Sequence, residues 1–350
     1  MIRKIKCEYF LKNIIDCISE KIYLNVLKYN KALQKKLNLS INSYIKFFNQ
    51  IVIEVIPKEK RRKKCPFINR GNNNFYHIFF DEGRQEIKRN YILSKEKVMK
   101  IKIIIDMNVK SLTGLFKGCR CIKEIKFIKF NRNDISKMSK MFYKCKSLTN
   151  LDITKLKTDN VKSMRYMFAD CQSLLALDLS NMKTDNVTNM EGMFCYCYVI
   201  EKLDVSKFQT DKVTNMYSMF RLCRFLKELD LSNFKTDKVT NMGKMFYQCI
   251  SLNKLNISKF NTEKVTNMDH MFDKCVLLKK IDVSHFKTDN VTNMDEMFSY
   301  CISLNNIDIS NFNTSSLESC YYMFNKCKDK LKSKIYNEYE KFGDGYLDDY

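Results

Sequence analysis

A Phe-x-x-Cys motif recurs nine times in this chain of 350 residues, each copy 26 residues after the last. No residue is inserted or lost between copies. A fixed period of about 20–50 residues is typical of repeat architectures, in which one unit buries its apolar face only against its neighbours. The sequence therefore predicts nine stacked coils rather than one globular core. The pairs are Phe116/Cys119, Phe142/Cys145, Phe168/Cys171, Phe194/Cys197, Phe220/Cys223, Phe246/Cys249, Phe272/Cys275, Phe298/Cys301 and Phe324/Cys327.

The copy from Leu177 to Cys197 shows how each coil is divided. Its first part reads L-D-L-S, and the alternation of Leu177 and Leu179 with polar residues predicts a short strand with both leucines facing inward. Its middle part lies between apolar Met182 and Val187 and predicts a turn held by Thr and Asp side chains. Parallel stacking of the coils would pair each strand with the next at about 4.8 Å.

The last part of each copy, T-N-M-x-x-M-F-x-x-C, has the spacing of an amphipathic helix. Asn189 precedes the first apolar residue of one copy and is a natural helix N-cap. Helix axes need about 8–10 Å between them, against about 4.8 Å for strands, so the stack is expected to bend with its strands on the concave side. The residues at i, i+3, i+4 and i+7 of this copy are Met190, Met193, Phe194 and Cys197.

The fold class that follows is an α/β repeat solenoid of the leucine-rich-repeat type, with one short parallel strand and one short helix per coil. We predict three segments along the chain. Residues 1–95 form a small N-terminal α+β cap or adapter, residues 96–327 form the nine repeats, and residues 328–350 form a charged C-terminal cap or tail.

Apolar periodicity gives the elements expected in the N-terminal segment. Helical spacing predicts two short helices over residues 8–37 and another over 41–49. Runs rich in β-branched and aromatic residues predict strands over 51–56, 75–80 and 98–105. The charged residues after Cys327 predict a short capping helix.

The unit LDLSNFKTDKVTNMGKMFYQCISL resembles the BspA-like leucine-rich repeat of bacterial and protist surface proteins. The resemblance covers residues 98–327 and includes the L-D-L-S, T-D-x-V-T-N-M and M-F-x-x-C blocks in register. It implies a leucine-rich-repeat-like fold and a role in binding, often in adhesion. The predicted N-terminal helices, followed by Tyr29–Lys31, more loosely resemble an F-box module, which implies a substrate adapter.

Two neighbouring columns on the predicted strands are candidates for partner binding. The first column is acidic, and its carboxylates either contact a partner or brace backbone amides within the stack. The second column varies in charge and size, as a specificity surface would, and includes Lys202, Glu228, Lys254 and Lys280. The acidic column consists of Asp152, Asp178, Asp204, Asp230, Asp282 and Asp308, with Asn256 in the gap.

Basic residues are concentrated near the N-terminus. Residues 1–105 hold 24 Lys and Arg against 9 Asp and Glu, a net charge of +15 out of +23 for the chain. A composition rich in Lys, Asn and Ile accounts for much of this excess, and a basic loop between strands is often only solvated. The alternative is a polyanion-binding or nuclear-import patch. The candidate patch is Lys58, Lys60, Arg61, Arg62, Lys63 and Lys64.

Catalytic and metal-binding motifs are missing from the sequence. The fifteen cysteines include no C-x-x-C pair, which favours buried, reduced thiols over a zinc site or a disulfide framework. The three histidines, His77, His270 and His285, stand in unrelated contexts, and no P-loop, G-x-S-x-G or H-E-x-x-H motif occurs. We therefore expect no enzyme activity, no metal and no cofactor.

The expected function is protein–protein interaction by a monomer through the concave strand face, with a protein partner whose identity the sequence does not give. The sequence contains no stretch of 18 uncharged apolar residues, so no membrane span is predicted. No secretory signal is evident either, and a cytoplasmic location is therefore expected. The alternatives are a nuclear protein, a cell-surface adhesin that reaches the surface by a non-standard route, an F-box-like adapter, or a nucleic-acid binder acting through the basic N-terminal segment.

Overall fold

A computed structural model describes residues 31–36, 45, 48–59, 63–69 and 73–338. Short strands and turns make up most of this structure, and helices are few. In chain order the elements are α1 (Lys31–Lys36), β1 (Ile51–Pro57), β2 (Lys64–Pro66), a 3₁₀ turn (Asn73–Phe75), β3 (Tyr76–Phe80), β4 (Tyr91–Leu93), β5 (Ile101–Ile105), β6 (Ile122–Phe130), β7 (Asn150–Asp152), β8 (Glu228–Asp230), β9 (Lys254–Asn256) and α2 (Asp329–Glu338).

A five-stranded sheet with the order β3-β5-β1-β6-β7 joins the N-terminal segment to the first repeats. β1 pairs antiparallel with both β5 and β6, and β6 pairs parallel with β7. The strands predicted over 51–56, 75–80 and 98–105 are confirmed as β1, β3 and β5. β1 thereby covers the strand edge that the first repeat would otherwise expose, which blunts edge-to-edge association. The expected boundary after residue 95 thus lies within a continuous sheet.

A disulfide joins Cys65 in β2 to Cys121, which directly precedes β6. The two Cα atoms are 6.0 Å apart, a separation common for this bond. For this pair the expectation of reduced thiols was wrong, because β2 and the first repeat meet although 56 residues separate the cysteines in sequence. The bridge fastens the N-terminal segment to the repeats.

Nine stacked copies follow, and two continuous columns join each copy to the next. The Phe rings of the Phe-x-x-Cys motifs lie parallel, with centroids 5.3–5.8 Å apart from Phe116 to Phe324. A column of parallel β-bridges runs beside them. Its members are Ser111, Lys137, Ser163, Asn189, Asn215, Asn241, Asn267, Asn293 and Ser319.

The helix predicted in each copy is wrong, because these segments form a ladder of turns between residues 111 and 327. Met190 N–H donates to Asn215 O at 3.0 Å, and Gly192 N–H donates to Tyr217 O at 2.8 Å. The amide that follows, Met193 N–H, donates to Met190 O at 3.1 Å within the same copy. Alternate amides therefore bond to the next copy, and the others bond three residues back. A helix would require each amide to bond four residues back.

Two left-handed residues per copy make this ladder possible. In the copy above they are Gly192 (φ 58°) and Tyr196 (φ 62°), and the equivalent positions have positive φ in all nine copies. A positive φ at the third residue is the mark of a type II turn. Asn189, predicted as a helix N-cap, instead accepts a hydrogen bond from Glu191 N–H at 2.9 Å and opens the first turn. The apolar residues at i, i+3, i+4 and i+7 are buried as predicted.

The strand expected in every copy forms as a regular strand only in some copies. β6 pairs with β7 and β8 pairs with β9, while the corresponding segments of the other described copies form no regular strand. The predicted curvature depended on the mismatch between strand and helix spacings. Because a turn ladder replaces the helix, this mismatch no longer gives a physical reason for the strand face to be concave.

Side-chain hydrogen bonds also connect the copies. Thr210 is buried, donates to Lys235 O at 2.9 Å and accepts from Lys235 N–H at 2.8 Å. The Cys249 thiol donates to Phe220 O in the preceding copy at 3.1 Å. Burial raises the pKa of Cys249 to about 12, which keeps the thiol protonated as a donor at neutral pH. The cysteine column therefore has a structural role.

The last copy is covered by α2, which confirms the predicted capping helix. Leu331 and Ile335, at i and i+4, are buried against the end of the core. Lys334 Nζ donates to Asn306 Oδ1 at 2.7 Å and holds the helix over the last strand segment. Most of the helices predicted over 8–37 and 41–49 lie outside the described residues, although α1 falls within the first range.

Replacing Gly192 with alanine is expected to destabilise the fold by about 2 kcal/mol, against about 1 kcal/mol for Gly118→Ala. Both glycines have positive φ, where a Cβ costs about 1–2 kcal/mol. A Cβ at Gly192 would overlap the Tyr166 ring, whereas nothing lies within 4 Å of one at Gly118. Urea unfolding of the two variants measures the difference. Equal losses would show that the Tyr166 ring moves without cost.

Candidate functional site

The strand face is the set of exposed side chains on the L-x-x-L-D-L-S segments. In the copy around Leu177 the predicted alternation is confirmed: Leu177 and Leu179 are buried, while Ala176, Asp178 and Ser180 are exposed. Inward leucines fix the backbone against the core, so the outward side chains stand at regular positions from copy to copy. The strand face is therefore a preformed surface.

Each acidic-column residue opens a turn in its own copy. Asp204 Oδ1 accepts from Ser206 N–H at 2.9 Å, and this backbone hydrogen bond is the main reason that the pKa of Asp204 lies below its ordinary value. A structural function thus accounts for one carboxylate oxygen, and partner contact through this column stays a prediction. The same bond to the amide two residues on is made by Asp152, Asp178, Asp230, Asn256, Asp282 and Asp308.

The neighbouring variable column carries ion pairs between copies. Lys254 Nζ lies 2.8 Å from Glu228 Oε1, and its hydrogen bond lowers the pKa of that carboxyl group. One position earlier, Lys227 Nζ lies 2.6 Å from Glu201 Oε2. Exposed pairs of this kind contribute little to stability, so a partner can replace them at little cost.

A groove of about 650 Å³ crosses the strand face over β8, β9 and the two copies that follow. Partly buried Leu255 forms part of its lining, and charged side chains surround it. Four predicted site residues meet here, namely Glu228, Asp230, Lys254 and Lys280. The sequence analysis missed Lys279 and Asn305, which also line the groove. Each lies one residue before a position of the variable column, so alignment of the copies would have identified them. The predicted residues outside its lining are Lys202, Asp152, Asp178, Asp204, Asp282 and Asp308.

The basic patch is described only in part, since Lys60, Arg61 and Arg62 lie outside the described ranges. Lys58 and Lys64 line a second cavity of about 350 Å³, beside the Cys65–Cys121 disulfide. Lys58 Nζ donates to Ser147 Oγ at 3.3 Å, and Lys64 Nζ lies 4.1 Å from the Tyr91 ring centroid. These contacts give both lysines structural partners, and nucleic-acid binding stays a prediction.

A family model described as "Mycoplasma protein of unknown function, DUF285" matches residues 110–229, 175–255 and 250–338. Together these matches run from residue 110 to residue 338, more than half of the chain. The chain belongs to the DUF285 family. The DUF285 match includes the groove and α2, while residues 1–109 precede it.

Other comparisons add little to the DUF285 assignment. No curated protein matches the chain. A crystal structure of a leucine-rich repeat protein from Bacteroides ovatus matches at 17% identity, covering 69% of this chain and 87% of that one. Its TM-score is 0.21, which supports no structural argument. Within the described ranges, no helix has the length and apolar character needed to cross a lipid bilayer.

Proposed function

We propose that the copies form a leucine-rich-repeat-like solenoid of the BspA type, which binds a protein partner through the strand face without catalysing a reaction. The groove over β8 and β9 is the observation that carries this proposal. Its lining combines apolar Leu229 and Leu255 with charges of both signs, the mixture that protein interfaces present. The DUF285 model itself names no function.

Rigidity is the second support for binding. Amide, thiol and threonine hydrogen bonds connect successive copies between residues 111 and 327, so the groove does not have to be ordered when a partner arrives. Preorganised surfaces retain more of their contact energy as affinity. The three lysines Lys254, Lys279 and Lys280 face the groove together with Glu228 and Asp230, and they fit a partner segment that places carboxylates opposite the lysines.

Reversing the charge of Lys254 and Lys280 together is expected to weaken partner binding about tenfold. A photo-crosslinking residue at position 280 of the full chain identifies the partner, and a calorimetric titration then compares variants. Each of the two lysines is expected to form one exposed ion pair with a carboxylate of the partner, worth up to about 1 kcal/mol. Loss of both pairs accounts for the effect, since 1.4 kcal/mol is tenfold in affinity. The matched control reverses Lys238 and Lys264, which are exposed on the T-D-K-V and T-E-K-V turns. Equal affinities for both double variants would refute a role of the groove.

The Cys65–Cys121 disulfide favours a second candidate, an exported adhesin with the same binding face. Disulfides persist mainly in oxidising compartments. The other described cysteines are buried, so their thiols do not argue for a reducing compartment. Trapping free thiols in intact source cells, followed by mass spectrometry, tests this candidate. Alkylation of Cys65 and Cys121 without prior reduction would count against it.

A further inference from the structure

A polar cluster lies on the turn ladder between the seventh and eighth copies. His270 and Glu296 occupy the same left-handed position in consecutive copies, with φ of 50° and 51°. Asp273 lies three residues after His270, at the first variable position of its Phe-x-x-Cys motif. The 26-residue step therefore places Glu296 directly beside His270, although the two residues are distant in sequence.

Three ligand atoms converge in this cluster. His270 Nδ1 lies 3.0 Å from Asp273 Oδ2 and 3.7 Å from Glu296 Oε2, and one ligand atom from each residue lies within 4.8 Å of the others. Zinc bonds to nitrogen and oxygen are about 2.0–2.2 Å long, so two ligands on one tetrahedral ion are roughly 3.4 Å apart. The two distances from His270 lie on either side of that value.

Burial of Asp273 supplies an independent observation. Its side chain is 0% exposed, and its Oδ1 atom has no hydrogen-bond partner. A buried carboxylate with an unpartnered oxygen is costly unless a cation compensates its charge. Lys274 Nζ lies 3.5 Å from Oδ2 and offsets part of that charge. The Oγ atom of Ser299, at the equivalent position of the next copy, is also buried without a partner.

We propose that His270, Asp273 and Glu296 bind one divalent transition-metal ion of the Zn²⁺ class, with a remaining position open to water. One imidazole nitrogen and two carboxylate oxygens are suitable donors for such an ion, since harder cations such as Mg²⁺ and Ca²⁺ prefer oxygen alone. The ion would fasten two consecutive copies together at a place where the ladder buries a carboxylate.

His77 provides a contrast within the same chain. Its Nδ1 atom lies 3.1 Å from Glu86 Oε1, and its Nε2 atom lies 3.2 Å from Asp106 Oδ2. The two carboxylates therefore meet opposite edges of the imidazole ring and cannot share one ion with a single nitrogen. A histidine between two carboxylates is therefore not sufficient for a metal site. His270 differs because both carboxylates lie near the same ring nitrogen, Nδ1.

Titration of the full, EDTA-treated chain with ZnCl₂ by calorimetry tests the site. The expected result is saturable binding of one ion per chain, weakened at least about tenfold in Glu296→Gln and unchanged in His77→Ala. The Glu296 side chain is 32% exposed, so its substitution should leave the fold intact, and circular dichroism checks this. Co²⁺ in place of Zn²⁺ should give visible d–d bands that need a higher Co²⁺ concentration to appear in the same variant.

Several outcomes would overturn the proposal. Absence of saturable Zn²⁺ binding would do so, as would binding of equal affinity in Glu296→Gln, which would place the ion elsewhere, for example on cysteines. Preference for Mg²⁺ over Zn²⁺ would contradict the role of His270. If the signal is lost in His77→Ala and kept in Glu296→Gln, the ion sits at the other histidine.

Discussion

Replacing Phe246 with alanine is expected to lower the free energy of unfolding by about 4 kcal/mol. The ring is 0% exposed and lies between Phe220 and Phe272, with centroids 5.8 Å and 5.5 Å away and the planes within 4° and 8° of parallel. Truncation of a buried Phe typically costs about 3–5 kcal/mol, because apolar contact is lost and a cavity remains. Urea unfolding, followed by circular dichroism, measures the change.

The matched control is Phe225→Ala, since that ring is 51% exposed and lies only five residues after Phe220. Its expected loss is under about 0.5 kcal/mol. The slope of the unfolding transition carries further information, because each copy is stabilised by its neighbours. A cavity in the middle of the stack should uncouple the two halves and reduce the slope. Equal losses for Phe246→Ala and Phe225→Ala would show that the ring column is not the core.

The buried columns were predictable because they depend on the period alone. A 26-residue repeat with apolar residues at fixed positions specifies which side chains face inward, and Met190, Phe194 and Cys197 are buried as predicted. The same positions do not specify the partners of the backbone amides. An i, i+3, i+4, i+7 pattern fits a helix and equally fits turns whose amides bond to the next copy. Most left-handed positions hold residues other than glycine, so the sequence did not indicate the positive φ angles.

Contacts between distant parts of the chain account for the other differences. The Thr column was predicted to hold turns locally, but Thr210 Oγ1 contacts residue 235 in the next copy. The Cys65–Cys121 bridge depends on how β2 meets the first repeat, which no spacing rule reveals. The candidate metal site was missed because each histidine was considered alone. Alignment of the copies in register would have placed His270 beside Glu296.

Replacing Thr236 with valine is expected to cost about 3 kcal/mol, although the two side chains have nearly the same shape. Thr236 is 1% exposed, and its hydroxyl donates to Asn261 O at 2.8 Å and accepts from Asn261 N–H at 2.7 Å. Valine leaves both backbone groups of Asn261 without this partner. A buried polar group deprived of its partner costs about 1–3 kcal/mol. Thermal and urea unfolding measure the loss.

Thr236→Ser separates the hydroxyl from the methyl group. Serine keeps both hydrogen bonds to Asn261 and loses one buried methyl, so its expected cost is about 1 kcal/mol. A larger loss for valine than for serine identifies the double hydrogen bond as a clamp between consecutive copies. The reverse order would mean that methyl packing dominates and that water satisfies Asn261. Because the same threonine contact recurs at residues 158, 184, 210, 262 and 288, the result applies to each of these interfaces between copies.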